Sequence, residues 1–464
     1  MLADNIRSEG ISMTGSHPAG TARLNATQLT VIALLFGFSM MSYFDRTIMS
    51  IAGPQMIRDF GISPTAMGSV YSAFILGYAL LMIPGGYLAD RIGPRRTLML
   101  MGMLSAGFTG LTVVGGKPGL GALIGVVTTL FAIRLGLGVV TAPLYPACAC
   151  MTANWIPMVY HARVQGFIIA GSSVGAAISP ILFTSIMNRS NWQTPFLVAA
   201  FVTTVLTVTW FWYARDYPSA ANGPRAVRQP QTAEGWAKLF ANPNLMLLTY
   251  AYSALGYFQY IFFYWMYYYF GEVLHMGAAE GARYTALLFL TEGAIMPVGG
   301  FASDRLTRLY GPTIGRKSVL IAGLSLGAVF TFAGAANLGF TAVACLSLAF
   351  GLAACCEGPF WATVTEMAGE HVGGACSVLN TGAQVGGFFA PILTPLIASR
   401  AGWRWALYVG CLVALSGVIA VCLAKIREQI VATESPTLID RDYMLSHPRQ
   451  DVCQDLPPRS NTVS

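Results

Sequence analysis

The sequence predicts an all-α polytopic membrane protein with twelve transmembrane helices in two six-helix bundles. Three observations lead to this prediction: long apolar stretches, an uneven distribution of basic residues between alternate loops, and sequence matches between the two halves. Of the 464 residues, 55% are hydrophobic and 10% are charged, whereas a soluble protein carries about 25% charged residues. Because so few charges cannot cover a water-exposed surface, the composition excludes a soluble enzyme or a nucleic-acid-binding protein, although the net charge is +7.

The apolar stretches give the number of helices. A transmembrane helix needs about 20 predominantly apolar residues, and membrane helices tolerate Gly and Pro better than soluble ones do. Twelve segments of the chain meet this condition. They are 28–50, 66–88, 97–116, 122–150, 162–187, 195–214, 245–270, 281–303, 318–336, 341–366, 372–398 and 404–424.

The basic residues predict the orientation. If both termini are cytoplasmic, 19 of the 27 Lys and Arg residues fall in inner segments and 6 in outer segments, while Arg46 and Arg134 lie within spans. Basic residues accumulate on the cytoplasmic side of membrane proteins. We therefore expect both termini inside the cell and an even number of spans.

A polar, basic stretch with several Pro and Gly residues separates the first six spans from the last six. We expect a cytoplasmic tail without a signal-peptide pattern at the start of the chain. The predicted organisation is an N-terminal tail at 1–27, an N-terminal bundle at 28–214, a cytoplasmic linker at 215–243, a C-terminal bundle at 244–424 and a cytoplasmic C-terminal tail at 425–464.

The two halves repeat each other. Four runs of residues recur in the same order at offsets of 211 to 216 positions. They are Tyr43-Phe44-Asp45-Arg46 with Tyr257-Phe258-Gln259-Tyr260, Gly85-Gly86-x3-Asp90-Arg91 with Gly299-Gly300-x3-Asp304-Arg305, Thr141-Ala-Pro143-Leu-Tyr145 with Glu357-Gly-Pro359-Phe-Trp361, and Gly171-x2-Val174-Gly175 with Gly382-x2-Val385-Gly386. Since each half has six spans, the copies insert in the same orientation, and a site is expected between them near the middle of the membrane.

These motifs carry a family resemblance over essentially all twelve spans. The loop that runs from Gly85 to Arg96 resembles the signature of the major facilitator superfamily between spans 2 and 3. The runs around Asp45 and Glu357, together with Asn380-Thr-Gly, are similar to those of the anion:cation symporter family. This family includes bacterial symporters for galactonate, hexuronates and glucarate, and the animal sialin and vesicular glutamate transporters. The resemblance implies the major facilitator fold, a bacterial inner membrane, and proton-coupled uptake of an organic anion, with a sugar acid as the expected substrate, by alternating access.

Charged residues inside the spans are the first candidates for function, because a charge at the bilayer centre costs on the order of 3 kcal/mol. Arg46 and Arg134 are candidates for substrate binding, since the guanidinium fork matches a carboxylate. The resemblance implies that Asp45 carries the proton and that Arg46 anchors the substrate. The alternative is that Asp45 only neutralises a neighbouring arginine and holds the N-terminal bundle together.

One position departs from the family. A Glu usually follows the span-4 arginine by seven residues, but the residue at that distance from Arg134 is Thr141. A threonine side chain cannot carry the transported proton. Glu357, the counterpart of Thr141 in the second half, is therefore a candidate for a second proton site. A structural pairing of Glu357 is the equally open alternative. We expect Glu292 to act in helix packing or gating.

Further polar and aromatic residues are expected to line the substrate cavity at the same depth. They are Tyr43, Tyr78, Ser172, Tyr257, Gln259, Tyr260, Trp361, Asn380 and Gln384. Four residues of the repeated loop are expected to act as a cytoplasmic gate: Asp90, Arg91, Asp304 and Arg305. The pairs Gly171/Gly175 and Gly382/Gly386 have the small-xxx-small spacing of close helix crossings.

No cofactor and no metal site are expected, because the nine Cys residues are scattered without metal-ligand spacing. The expected partners are a small organic anion, protons and membrane lipids, with no nucleic acid, and the chain is expected to be monomeric. The absence of a His/Glu metal motif or a Ser/His arrangement argues against an intramembrane enzyme. Two alternatives stay open: an anion exchanger or facilitator without obligate proton coupling, and a binding or sensor protein.

Overall fold

The computed structural model describes residues 24–115, 125–157, 160–217, 233–368 and 372–426. These residues contain fifteen α-helices and one π-helical turn. The helices are α1 (Ala26–Phe60), α2 (Pro64–Ile92), α3 (Pro94–Leu111), α4 (Val126–Thr141), α5 (Leu144–Trp155), α6 (His161–Arg189), α7 (Gln193–Tyr213), α8 (Ala233–Ala241), α9 (Pro243–Tyr268) followed by the π-turn (Tyr269–Val273), α10 (Gly277–Tyr310), α11 (Pro312–Ala336), α12 (Gly339–Ala354), α13 (Glu357–Met367), α14 (Val372–Ala401) and α15 (Trp403–Leu423).

The twelve predicted spans all correspond to helices. Ten helical segments are long and apolar enough to cross a membrane by length and composition alone. The other two spans are α3 and α9. The helix α3 has 18 residues and begins with a proline and two arginines, and α9 is rich in tyrosine, which lowers the hydropathy of both. The prediction of an all-α membrane fold with twelve spans is therefore confirmed.

Two predicted spans are broken helices. The span predicted at 122–150 contains α4 and α5, and the span at 341–366 contains α12 and α13. Pro143 lies in the first break, and Pro359 is the third residue of α13. Because proline has no N–H and its ring clashes with the carbonyl four residues earlier, a continuous helix ends near it. The breaks occupy matching positions in the two halves, as duplication predicts.

The helix contacts show the same repeat. In the first half α1 packs on α6, α2 on α4, and α3 on α7. In the second half α9 packs on α14, α10 on α12, and α11 on α15, in the corresponding order. The halves meet where α2 packs on α14 and α6 on α10. The chain thus forms two bundles that are parallel repeats.

One glycine in each bundle marks a close helix crossing at a matching position of the repeat. A Cβ atom on Gly175 of α6 would lie 2.5 Å from the carbonyl oxygen of Met40 in α1. A Cβ on Gly386 of α14 would lie 1.9 Å from the carbonyl oxygen of Ser253 in α9. Since both distances are far inside van der Waals contact, only glycine permits these backbones to approach so closely. The predicted small-residue crossings are confirmed.

The bundles are in direct contact at the end of the molecule where α1 and α9 end. The rings of Tyr71 and Tyr264 stack across the two halves with centroids 5.0 Å apart. The indole Nε1 of Trp265 donates to the carbonyl of Pro391 at 3.2 Å, which adds a contact within the second half. Arg58, near the end of α1, forms an exposed ion pair with Glu272 in the π-turn. A charged pair and an aromatic stack therefore join the bundles at this end.

The predicted domain boundaries fall largely on residues outside the described part of the chain. This applies to most of the tails at 1–27 and 425–464, and to 218–232 of the predicted linker 215–243. The end of that linker contains α8, which leads directly into α9. The boundaries stay a prediction.

Candidate functional site

Arg46 lies in an aromatic cage at the middle of α1. Its guanidinium carbon is 4.7 Å from the ring centroid of Phe74, 4.8 Å from that of Tyr43 and 5.3 Å from that of Tyr78. Cations are attracted to aromatic faces at these distances. Arg46 is buried and makes no ion pair with any carboxylate in the described ranges. Its charge is therefore held by the rings, and its N–H groups are not taken up by an acidic side chain.

Arg134 of α4 binds the backbone of α1. Its Nη1 donates to the backbone carbonyl of Asp45 at 2.8 Å, and its Nη2 donates to the carbonyl of Arg46 at 3.3 Å. The residue is only 1% exposed. Both ends of the guanidinium fork are thus used to hold the backbone of α1. In this geometry Arg134 positions the backbone of α1, and its predicted role in substrate binding stays a prediction.

Asp45 is a buried carboxylate with free acceptor capacity. It is 1% exposed, and its Oδ1 has no hydrogen-bond partner. In the described residues it forms no ion pair within 4.0 Å, so neither Arg46 nor Arg134 neutralises it by direct contact. Burying an ionised carboxylate without a partner is costly. Oδ1 of Asp45 can therefore accept a hydrogen bond or a cation that the described residues do not supply.

Thr141, at the end of α4, does not bind the neighbouring arginine. Its hydroxyl donates within its own helix, to the carbonyls of Leu137 at 2.8 Å and Gly138 at 3.2 Å. Together with Asp45 it lines a cavity of about 10 Å³. Its oxygen lone pairs are the part of the side chain that stays available to a ligand.

Glu357 belongs to a hydrogen-bonded chain in the second half. The hydroxyl of Tyr252 donates to its Oε2 at 2.5 Å, and the indole Nε1 of Trp361 donates to that hydroxyl at 2.9 Å. Gln259 of α9 also lies beside the carboxylate, and Glu292 of α10 is within electrostatic range of it. The pairing with Tyr252 is the structural interaction that the sequence left open, and a proton site at Glu357 stays a prediction.

The remaining predicted cavity residues divide into two groups. Tyr43 meets α9 through an edge-on contact with Phe263, whose ring centroid is 6.0 Å away. Tyr260 donates to Gln384 at 3.4 Å. These contacts bring the aromatic cage of the first half next to polar groups of the second.

Three other predicted residues have different surroundings. Asn380 donates to the sulfur of Met82 at 3.0 Å, between α14 and α2, and Ser172 donates to a carbonyl of its own helix at 2.6 Å. Tyr257 lines a separate cavity of about 260 Å³ between α9, α14 and α15. The structure therefore does not bring Tyr257 together with Arg46.

Sequence analysis missed three residues that contribute to the site. Phe74 forms part of the cage, Tyr252 binds Glu357, and Tyr145 shares a hydrogen bond with Ser39 at 3.2 Å. Tyr145 could have been found, because it occupies the position of Trp361 in the repeat. The other two carry no comparable signal.

One predicted gating residue forms an ion-pair network. The carboxylate of Asp304 accepts from Nη1 of Arg316 at 2.7 Å, and Glu366 accepts from Nη2 at 2.5 Å. This network joins the ends of α10 and α13 to the start of α11. The partner of Asp304 is Arg316, which the sequence analysis did not identify. The neighbouring Arg305 is exposed.

The corresponding loop of the first half is held differently. The backbone N–H of Arg95 donates to Oδ1 of Asp216 at 2.9 Å, and its Nη2 donates to the carbonyl of Phe211 at 2.7 Å. Arg91 is exposed, and the side chain of Asp90 lies outside the described part of the chain. The gating roles of these loops stay a prediction.

Comparisons with known proteins agree with this architecture. A protein of Escherichia coli (strain K12) named "Probable L-galactonate transporter" is 25% identical over 421 residues, which cover 87% of this chain and 91% of that protein. The hexuronate transporter of Bacillus subtilis (strain 168) is 26% identical over 384 residues, which cover 81% of this chain and 89% of that protein.

A solved structure shares the fold. It is the crystal structure of a bacterial homologue of the human lysosomal transporter Spinster in an inward-facing and unoccupied conformation, with a TM-score of 0.73 and 15% identity, covering 89% of this chain and 100% of that chain. The sequence also matches the family model of the Major Facilitator Superfamily over residues 35–313 and 285–440. These segments include nearly all of the helices described above. The chain therefore belongs to the Major Facilitator Superfamily, a class of membrane transporters and not of enzymes.

Proposed function

We propose that the protein is a secondary active transporter that takes up a sugar acid together with protons by alternating access. The observation that carries this proposal is the pair of neighbouring residues on α1. Arg46 keeps an anion-binding guanidinium inside an aromatic cage, and Asp45 is a buried carboxylate with an unpartnered oxygen. The relatives named for galactonate and hexuronate transport support the choice of a sugar acid.

The position of Arg134 supports a coupling between these two residues. It donates to the carbonyls of both Asp45 and Arg46, so a change in charge at one residue alters the surroundings of the other. A proton on Asp45 removes a negative charge near Arg46 and favours the binding of an anion there. Because binding free energies are reciprocal, the bound anion equally favours the proton.

The contacts between the bundles support alternating access. If both termini are cytoplasmic, the end closed by Tyr71, Tyr264 and the Arg58–Glu272 ion pair faces outward. Uptake from outside then requires these contacts to separate while the opposite end closes. Parallel-repeat transporters work by such rocking of one bundle against the other.

One observation favours the second candidate, an anion exchanger without obligate proton coupling. Thr141 stands where the family usually has a Glu, and its hydroxyl donates to carbonyls of its own helix. Among the described residues that line the first half of the site, Asp45 is then the one carboxylate where the family usually has two. A single proton site gives a weaker link between proton and anion movement.

Uptake by proteoliposomes tests the proposal. Purified protein is reconstituted, and the entry of radiolabelled galactonate and galacturonate is followed with and without an inward proton gradient. We expect at least one of these anions to accumulate above its external concentration only when the gradient is present. Exchange of internal for external anion without accumulation would support the second candidate, and no saturable entry of either anion would contradict both.

A further inference from the structure

Four helices of the first bundle enclose a cavity of about 10 Å³ beside Asp45. Its polar lining consists of Ser42 and Asp45 from α1, Ser105 from α3, Thr141 from α4 and Thr203 from α7, and we call it the hydroxyl chamber. A site needs about 10–15 Å³ to hold one water molecule. The chamber therefore has room for one particle of about that size. The cage around Arg46 is not part of its lining.

Three atoms around the chamber lack partners. They are Oδ1 of Asp45, Oγ of Ser105 and Oγ1 of Thr203, and all three residues are at most 2% exposed. Buried polar atoms in proteins are almost always hydrogen-bonded. Three such atoms around one small cavity indicate a ligand that binds all of them at once.

The chemistry of the lining favours a cation over a water molecule. An ionised Asp45 offers only lone pairs, and Thr141 also faces the chamber as an acceptor, because it donates its hydrogen to Leu137. A water molecule would satisfy these acceptors but would leave the buried negative charge uncompensated. The nearest guanidinium, that of Arg134, donates to backbone carbonyls and not to the carboxylate.

The donor set also selects the type of cation. All five polar residues bind through oxygen, and hard cations prefer oxygen ligands. A single carboxylate balances one positive charge, whereas Ca²⁺ and Mg²⁺ need more carboxylates or a shell of retained waters. A chamber the size of one water molecule admits an ion only without its hydration shell. These properties describe a small monovalent cation.

We propose that the hydroxyl chamber binds one Na⁺ ion, with Asp45 providing the charge and the hydroxyl oxygens of Ser105, Thr141 and Thr203 completing the shell. The charged groups near this carboxylate are Arg134 of α4 and Arg46 of α1, while α3 and α7 contribute no charged side chain to the lining. The binding of Na⁺ is independent of the proposed function. Only its consequence, that Na⁺ can replace the proton in coupling, rests on that function.

Thermal unfolding of the purified full-length chain measures this binding without substrate. NaCl replaces choline chloride at constant ionic strength, since choline is too large for the chamber. A ligand that binds the folded state raises stability by RT ln(1 + [L]/Kd). We therefore expect a saturable rise in Tm with Na⁺ and none with choline.

Single hydroxyl deletions locate the ion. We expect Thr203→Val and Ser105→Ala each to raise the Kd for Na⁺ at least tenfold, and Thr203→Ser to retain binding. Thr209→Val is the matched control on the same helix, because Thr209 is exposed and its hydroxyl donates to its own helix at 2.9 Å. This variant should titrate like the wild type.

Two results would overturn the proposal: equal Tm responses to Na⁺ and choline, or a wild-type Na⁺ titration in Thr203→Val. The outcome is separable from that of the proposed function. Proton-driven uptake without any Na⁺ response contradicts only the Na⁺ site. A Na⁺ response without proton-driven uptake contradicts only proton coupling.

Discussion

Replacing Arg46 by lysine tests how the anion is held. The substitution keeps a positive charge in the cage formed by Tyr43, Phe74 and Tyr78, whose ring centroids lie 4.7 to 5.3 Å from the guanidinium carbon. An ammonium group is attracted to aromatic faces at similar distances. What Arg46→Lys removes is the planar fork that binds both oxygens of a carboxylate.

The expected loss follows from one hydrogen bond. A hydrogen bond to a charged group contributes about 1.5–3 kcal/mol, and lysine retains one of the two that the fork makes. Each 1.4 kcal/mol corresponds to a tenfold change in affinity. We therefore expect Arg46→Lys to bind the transported sugar acid about 10-fold to 150-fold more weakly, although the net charge of the site is unchanged.

The assay is calorimetric titration of the purified protein with the sugar acid that it takes up best. Arg91→Lys is the control, since Arg91 is exposed at the end of α2 and the exchange should leave Kd unchanged. Arg134→Lys should weaken binding less than Arg46→Lys, because Arg134 acts through the backbone of α1. A Kd within twofold of the wild type in Arg46→Lys would refute the fork and place the anion elsewhere.

Three further predictions follow from the packing and the topology. Gly386→Ala should lower Tm by several degrees, because the added Cβ would lie 1.9 Å from a carbonyl oxygen. The control Gly166→Ala should leave Tm unchanged, because no atom lies within 4 Å of the added Cβ. Equal effects of the two substitutions on Tm would contradict the close crossing. Tyr252→Phe removes the hydroxyl that donates to the carboxylate of Glu357 at the start of α13. We expect this to lower the free energy of unfolding by about 1.5–3 kcal/mol at most. An unchanged denaturation midpoint would show that water replaces the hydroxyl. A membrane-impermeant thiol reagent should label Arg225→Cys from the cytoplasmic side and Lys117→Cys from the outside, and the reverse pattern for position 225 would contradict the predicted orientation.

The fold could be predicted because the bilayer imposes simple rules. Long apolar segments must be helices, since no water is present to satisfy the backbone. The breaks near Pro143 and Pro359 were not predicted, because proline in a membrane helix produces a kink or a full break depending on its neighbours. The close crossings at Gly175 and Gly386 were predictable from spacing alone.

The site was predictable only in part. Asp45 and Arg46 stand out because a charge inside the membrane requires a reason. The arrangement of Arg134 depends on which backbone carbonyls lie within reach, and this is a property of tertiary packing. The repeat indicated both Tyr257 and Tyr260 as candidates for the substrate cavity. The rotation of α9, however, places Tyr257 at the separate cavity between α9, α14 and α15.

The central claim is that a proton on Asp45 drives the accumulation of the anion. Asp45→Asn mimics the protonated carboxyl permanently. Proteoliposomes that contain this variant are loaded with unlabelled sugar acid to measure exchange, or left empty to measure accumulation. Both are assayed in Na⁺-free choline buffer with an inward proton gradient. We expect the variant to exchange internal for external anion but not to concentrate the anion against its gradient. If Asp45→Asn still concentrates the anion when the proton gradient is imposed, the claim is contradicted.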